Sequence, residues 1–229
     1  MDIFTKQFET MLELQNGINS KIDTDWVTRK RPWYRAAWVE CGELMEHIGF
    51  KWWKAGELDL AQARLELVDI WHFGLSAMYE ASIIEPDYEN GLTTSDWLLA
   101  VQNEPQCWLS SAGDLEPLRV CLENFTQQLL DRQRPFPVYQ FFRLMYQLNM
   151  SWEELFRLYV AKNVLNSFRQ ENGYKEGVYV KTWFDEEDNV HLSRIAETLD
   201  ANDPNYAKTL YQKMTRIYGT VLVHDKNNC

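Results

Sequence analysis

Apolar residues recur every three or four positions along most of the chain, which is the spacing of an amphipathic helix. The first of these stripes predicts a helix over about residues 2–21. Further stripes predict helices over about 35–50, 59–82, 115–130, 138–148 and 151–172. Between Leu65 and Phe73 the third helix is apolar on nearly every side, which indicates a buried central helix.

Polar and turn-forming residues mark where several of these helices begin and end. Asp59 with Gln62, and Ser151 with Glu154, have the spacing of a capping box at a helix start. The pair Asn172-Gly173 is typical of a helix end.

Two regions have a weaker pattern. Pro and Gly residues interrupt residues 84–137, which we interpret as a lid or a lateral insertion with a short helix at 97–101 in addition to that at 115–130. The tail from residue 185 predicts two weaker helices. We therefore expect an all-α helical bundle, organised as one domain over residues 1–229 with 84–137 as a possible helical lid.

Composition and charge narrow the possible partners. The 229 residues are 45% hydrophobic, enough for a sizeable core, and their net charge of −11 argues against nucleic acid or an anionic membrane as a general partner. The four cysteines form no CxxC pair, and neither a signal peptide nor a membrane-spanning run is evident. We expect a cytoplasmic protein with reduced thiols.

Two helices carry acidic pairs spaced three residues apart, Glu40 with Glu43 and Glu66 with Asp69. Residues at this spacing share a helix face, so each pair can point at one spot. Acidic residues on helices are usually solvated, but the apolar neighbours of Glu66 and Asp69 leave little polar surface for them. Because buried carboxylates without partners are costly, and all four ligands are oxygens, we predict a central site for two or three Mg²⁺ ions, with Mn²⁺ as a substitute.

Cations form a second group, on the last long helix. Lys162, Asn166 and Arg169 follow i, i+4, i+7 spacing and so line one stripe, and Tyr174 and Lys175 come directly after the helix. Alone, this pattern is more often a solvated face. Beside a metal site, it favours binding of a polyphosphate.

Aromatic and amide side chains offer a third set of candidates. Trp53 lies in the segment 50–54, where aromatic rings alternate with lysines, a pattern that fits either base stacking or helix-end packing. Gln15 and Asn19 lie one turn apart on the first helix, where amides read a base edge or merely border the core. His47 shows no ligand spacing, and His72 fits a core histidine better than a catalyst.

These motifs resemble those of the all-α NTP pyrophosphatase superfamily, in which an ExxE pair is followed by an ExxD pair. The blocks KWWK at 51–54 and KNVLNSFRQENGYK at 162–175 are similar to those of the dimeric dUTPases within it. The resemblance covers about residues 3–83 and 150–183.

The resemblance implies hydrolysis of dUTP, and also of dUDP, to dUMP by a homodimer. It implies that Glu40, Glu43, Glu66 and Asp69 hold Mg²⁺, and that Glu43 deprotonates a metal-activated water that attacks the β-phosphorus. It assigns phosphate binding to Lys162, Arg169, Tyr174 and Lys175. It assigns nucleoside binding to Gln15, Asn19, Trp53, Phe73 and Asn166, with Phe73 stacked on uracil and Asn166 near the deoxyribose.

Two other functions remain open from the sequence. A related pyrophosphohydrolase acting on dCTP or another nucleotide would share the acidic pairs and differ only in its base pocket. A non-catalytic, metal-stabilised helical interaction module would need the acids but not the cations of the last long helix.

Overall fold

The computed structural model describes residues 3–53, 58–84, 114–131 and 135–227, and nearly all regular structure in them is helical. This confirms the all-α prediction. None of the described helices combines the length and apolar character that a bilayer crossing requires. In chain order the elements are α1 (Ile3–Ile22), α2 (Trp33–His47), α3 (Leu60–Ile84), α4 (Glu116–Leu129), α5 (Val138–Gln147), α6 (Trp152–Glu171), β1 (Thr182–Trp183), β2 (Glu186–Glu187), α7 (Asp188–Glu197) and α8 (Tyr206–Asn227).

The predicted capping residues fix two helix starts. The Asp59 carboxylate accepts a hydrogen bond from the Gln62 backbone N–H at 3.0 Å, and the Ser151 hydroxyl accepts one from the Glu154 N–H at 3.1 Å. Each bond satisfies an N–H group that has no partner inside the helix. The starts of α3 and α6 therefore agree with prediction.

The predicted bounds of α2 were wrong by a few residues at each end. The helix begins at Trp33, directly after Pro32, and ends at His47 instead of continuing to Phe50. Gly49 has a φ of +67°, a left-handed conformation that glycine adopts without steric cost and that ends helices. The segment 50–53, with its aromatic residues, therefore lies outside the helix.

The chain forms two compact units, residues 1–155 and 156–229. In the first, α3 is the central helix, as predicted, and α1 and α2 pack against it. Trp71 of α3 is fully buried, and its ring stacks on Phe141 of α5 at a centroid distance of 4.5 Å. The prediction of a buried helix between Leu65 and Phe73 is confirmed for its apolar positions except Phe73, which is half-buried.

The second unit contains most of α6, a short hairpin, α7 and α8. The hairpin was not predicted. It pairs Thr182 with Glu187 and Trp183 with Glu186, and both turn residues, Phe184 and Asp185, have positive φ. Positive φ at both positions suits a tight hairpin, but it is unusual for Phe, so the sequence carried little signal for this turn.

The single-domain organisation and the lid over 84–137 stay predictions. The helix predicted at 97–101 lies outside the described residues, whereas α4 agrees with the prediction at 115–130.

Candidate active site

Three of the four predicted acids lie together where α2 packs against α3. Glu40 and Glu43 of α2 and Glu66 of α3 each offer a carboxylate oxygen, and these atoms lie within 4.8 Å of one another. Glu40 and Glu66 are half-buried, whereas Glu43 is exposed. We call these three residues the carboxylate cluster.

Asp69, the fourth predicted acid, does not belong to the carboxylate cluster. It lies one turn beyond Glu66 on α3 and is half-buried. Leu67, Val68 and Ile70 around it are fully buried, so the helix gives it a narrow polar strip. A four-ligand site that includes Asp69 stays a prediction.

His47 lies beside the carboxylate cluster, although no role was predicted for it from the sequence. Its Nε2 is 3.6 Å from Oε1 of Glu66. It follows Glu43 by four residues and Glu40 by seven, so all three lie on one face of α2. Extending the Glu40–Glu43 pair by one turn would have found it.

The carboxylate cluster fits a hard divalent cation. Three like charges held close together repel one another, and a cation between them removes that cost. The donors are all oxygens, which Mg²⁺, Mn²⁺ and Ca²⁺ prefer over the sulfur and nitrogen ligands typical of zinc.

Gln15 and Asn19 are buried and joined in one hydrogen-bond network between α1 and α3. Gln15 Nε2 donates to Asn19 Oδ1 at 3.1 Å, and Asn19 Nδ2 donates to Ser76 Oγ at 2.9 Å. Gln15 Oε1 lies 2.8 Å from Nδ1 of His72. Because an amide oxygen only accepts, Nδ1 of His72 carries the proton. His72 is therefore a bonded core histidine, in line with the sequence interpretation.

The predicted ring residues differ in exposure. Phe73 is half-buried on α3, and its ring stacks beside that of Trp33 at 6.4 Å and 25°. Trp53 is 60% exposed and lies edge-on to Phe50, with ring centroids 5.6 Å apart. Phe73 therefore has a fixed neighbour within the core, whereas Trp53 presents most of its ring to solvent.

The predicted phosphate-binding residues belong to the second unit. Lys162 is buried, and Asn166 and Arg169 are half-buried on the same helix. Tyr174 and Lys175 are exposed just beyond the end of α6. The turn between them and the helix needs Gly173, because its φ is +85° and an added Cβ would lie 2.3 Å from Val178 Cγ2.

Arg169 is held by an acid that sequence reasoning missed. Both oxygens of Asp188 accept hydrogen bonds from its guanidinium, Oδ2 from Nε at 2.8 Å and Oδ1 from Nη2 at 2.6 Å. Burial alone would lower the pKa of Arg169, but the bonds and charge of Asp188 outweigh it and raise the pKa. Asp188 is nineteen residues away in sequence, and no spacing rule links the two.

Comparison with known proteins places most of the chain in a family. A family model described as dUTPase matches residues 7–174 of the chain, nearly three quarters of its length. The match includes the carboxylate cluster, Asp69 and the amides Gln15 and Asn19, and it ends one residue before Lys175. No curated protein matches the chain significantly.

Proposed function

The chain belongs to the all-α dUTPase family and is an enzyme that hydrolyses dUTP, and we propose that it converts dUTP, and also dUDP, to dUMP. Water attacks the β-phosphorus, and the bond from that phosphorus to the oxygen retained by dUMP breaks. The products from dUTP are dUMP and pyrophosphate. The observation that carries this proposal is the carboxylate cluster within the matched residues.

We propose that Glu40, Glu43, Glu66 and Asp69 hold two or three Mg²⁺ ions, with Mn²⁺ able to replace them. The all-oxygen donor set and the 4.8 Å spread of the first three carboxylates support a hard cation. When bound, the metal would neutralise phosphate charge and acidify the attacking water.

Glu43 is the best candidate for the general base. It is the exposed member of the carboxylate cluster, whereas Glu40 and Glu66 are half-buried. A base must reach the water whose proton it takes, and exposure gives Glu43 that access. Its carboxylate would accept the proton as the water attacks.

The phosphate chain would be bound by Lys162, Arg169, Tyr174 and Lys175. Arg169 supports this role because Asp188 engages only its Nε and one N–H of Nη2, which leaves the N–H groups of Nη1 outside the pair. Guanidinium N–H groups suit phosphate oxygens in paired geometry.

The nucleoside would be bound by Gln15, Asn19, Trp53, Phe73 and Asn166. The first two are buried amides, and each side chain carries both a donor and an acceptor, as an amide that reads the edge of uracil must. Phe73 offers a ring face for stacking on uracil. Selection for uracil over cytosine is part of the proposal, and a dCTP-preferring pyrophosphohydrolase remains the second candidate.

We also propose a homodimer, because the resemblance is to dimeric enzymes and because large apolar side chains are exposed in the first unit. Trp38, Val39, Trp52 and Trp53 are each more than half exposed. A cytoplasmic location, with neither nucleic acid nor membrane as a partner, stays a prediction. Family membership favours an enzyme over the non-catalytic interaction module.

A panel assay tests the activity. Purified protein is incubated with dUTP, dUDP, dCTP, dTTP and UTP, with and without Mg²⁺, and the nucleoside monophosphate is quantified. We expect dUMP from dUTP and dUDP only with Mg²⁺, and kcat/KM for dUTP far above that for dCTP. Equal rates for dCTP and dUTP would favour the second candidate, and release of no monophosphate from any of them would contradict both.

A further inference from the structure

The most completely buried acid described in the second unit lies beyond the residues that match the family. Asp188 has no exposed surface, and it is the first residue of α7. Its two oxygens accept both guanidinium hydrogen bonds from Arg169, and Oδ2 accepts a third from the Tyr179 hydroxyl at 2.8 Å. Both oxygens of the buried carboxylate therefore accept hydrogen bonds.

This pairing fixes the direction of the Arg169 guanidinium. A guanidinium is planar, and Asp188 occupies the edge formed by Nε and Nη2. The opposite edge, with Nη1, then points away from Asp188. Rotation of the side chain would break two charge-assisted bonds at once, each stronger than a neutral one. An arginine held in this way is pre-oriented for a ligand.

Tyr179 is itself held in place. Its ring stacks on that of Tyr218 with centroids 5.1 Å apart, and the Tyr218 hydroxyl accepts a bond from the Val180 N–H at 3.1 Å. Burial and the charge of Asp188 raise the pKa of Tyr179, so its hydroxyl stays a proton donor. The Tyr174 ring, 5.9 Å from the Arg169 guanidinium carbon, borders the same group.

We propose that Asp188, supported by Tyr179, is a positioning residue that orients Arg169 toward the phosphate chain of the substrate. The proposal rests on the proposed phosphate-binding role of Arg169. Asp188 lies fourteen residues beyond position 174, where the family match ends.

A purely structural role would also need a buried pair, so the test must separate the two roles. Buried ion pairs contribute little net stability compared with apolar packing, but removal of one partner is costly. A matched control exists in the same segment, where Glu186 receives two bonds from Arg194 at 2.5 and 2.7 Å. That pair has the same chemistry but is exposed, and it does not include α6.

The experiment is a double-mutant cycle of Asp188→Asn and Arg169→Gln, with Tyr179→Phe and Glu186→Gln as additional variants. Two readouts are used, kcat/KM for dUTP and the Kd of inorganic pyrophosphate measured by calorimetry. Circular dichroism and the Mg²⁺-dependent rise in Tm report on the fold and on the carboxylate cluster.

We expect Asp188→Asn to lower kcat/KM and to weaken pyrophosphate binding by about tenfold to a hundredfold, as loss of a hydrogen bond to a charged group would give. In the Arg169→Gln background the same change should have little further effect, because its target is gone. Tyr179→Phe should cost about twofold to tenfold. Glu186→Gln should match the parent, and the Mg²⁺ response should not change in any variant.

The proposal is overturned if the effects of Asp188→Asn and Arg169→Gln multiply, or if Asp188→Asn leaves pyrophosphate binding unchanged. If Asp188→Asn fails to fold, Tyr179→Phe and the double variant decide, and parent-like binding in Tyr179→Phe contradicts the proposal. A parent protein that binds pyrophosphate but does not hydrolyse dUTP contradicts the proposed function alone, because the binding readout still tests Asp188.

Discussion

The carboxylate cluster makes a prediction about stability whose sign follows from its geometry. In the metal-free protein, Glu66 faces Glu40 and Glu43 with oxygens within 4.8 Å of each other. Glu66→Gln removes two of the three repulsive pairs and keeps the shape of the side chain. We expect this variant to be more stable than the parent without metal and less responsive to Mg²⁺.

The size of the effect follows from Coulomb's law. Two unit charges 4.8 Å apart repel by about 1 kcal/mol in water and by roughly 3.5 kcal/mol at an effective dielectric constant near 20. Against this, the variant loses the contact of Glu66 with His47, a partly exposed pair worth about 0–1 kcal/mol. The variant removes two such repulsive pairs, or about 2 kcal/mol even at the dielectric constant of water. After the lost His47 contact is subtracted, the free energy of unfolding without metal should rise by at least about 1 kcal/mol, or roughly 2–4 °C in Tm for a chain of this length.

Metal reverses the order. Ion binding to the native state stabilises it by about 2.7 kcal/mol at a hundredfold excess over Kd, which is roughly 5–11 °C here. The assay is thermal unfolding of chelator-stripped protein at low salt, with and without Mg²⁺. Glu66→Gln should lose more than half of the rise in Tm.

Glu46→Gln is the matched control. Glu46 is also on α2 and pairs with Lys51, but it is outside the carboxylate cluster. It should show the full Mg²⁺ response of the parent. The reasoning is refuted if Mg²⁺ does not raise the Tm of the parent, or if Glu66→Gln is less stable than the parent without metal.

Three further predictions concern catalysis, pH and assembly. Glu43→Gln should lose turnover by about 10²–10⁴-fold with a native circular dichroism spectrum, and activity above about a tenth of the parent would assign the base elsewhere. Burial raises the pKa of the Cys41 thiol from 9.0 to about 12, so the stabilisation from the protonated thiol is complete below pH 9 and is lost as pH rises toward 12. In denaturant titrations over this range, the free energy of unfolding should fall less steeply with pH for Cys41→Ala than for the parent, and equal slopes would contradict the prediction. Sedimentation should give about twice 27.2 kDa, and a fully active monomer would contradict the dimer.

Most of the fold was predictable because its signals are local. Helix period and capping depend on residues within a few positions, as the bonds at Asp59 and Ser151 illustrate. The predicted end of α2 was wrong because the apolar pattern continues to Phe50, although Gly49 is a residue type that commonly ends helices. The hairpin turn at Phe184 was missed because its positive φ is not what Phe favours.

The site was predictable only as far as single helices determine it. Spacing of three residues places Glu40 and Glu43 on one face whatever the tertiary structure. Which carboxylates of α3 lie near Glu40 and Glu43 depends on how α3 is rotated and shifted against α2. That packing brings Glu66 into the carboxylate cluster but not Asp69. Asp188 illustrates the limit, because its bond to Arg169 joins two elements through a hairpin that the sequence did not indicate.

Under the proposed nucleoside-binding role of Gln15 and Asn19, their hydrogen-bond network with His72 and Ser76 bears on the choice between uracil and cytosine. An isolated amide can turn over to suit either base edge. Turning Gln15 over would place its N–H groups against the protonated Nδ1 of His72 and its oxygen against Oδ1 of Asn19. To remove these clashes, His72 would have to change its tautomer and the Asn19 amide would also have to turn over. The Asn19 oxygen would then need a hydrogen bond from the Ser76 hydroxyl, which would give up the bond that it donates to the His72 carbonyl. Because the four groups must change together, the network holds Gln15 in one orientation, and a fixed amide can reject the wrong base edge by leaving buried groups unpaired.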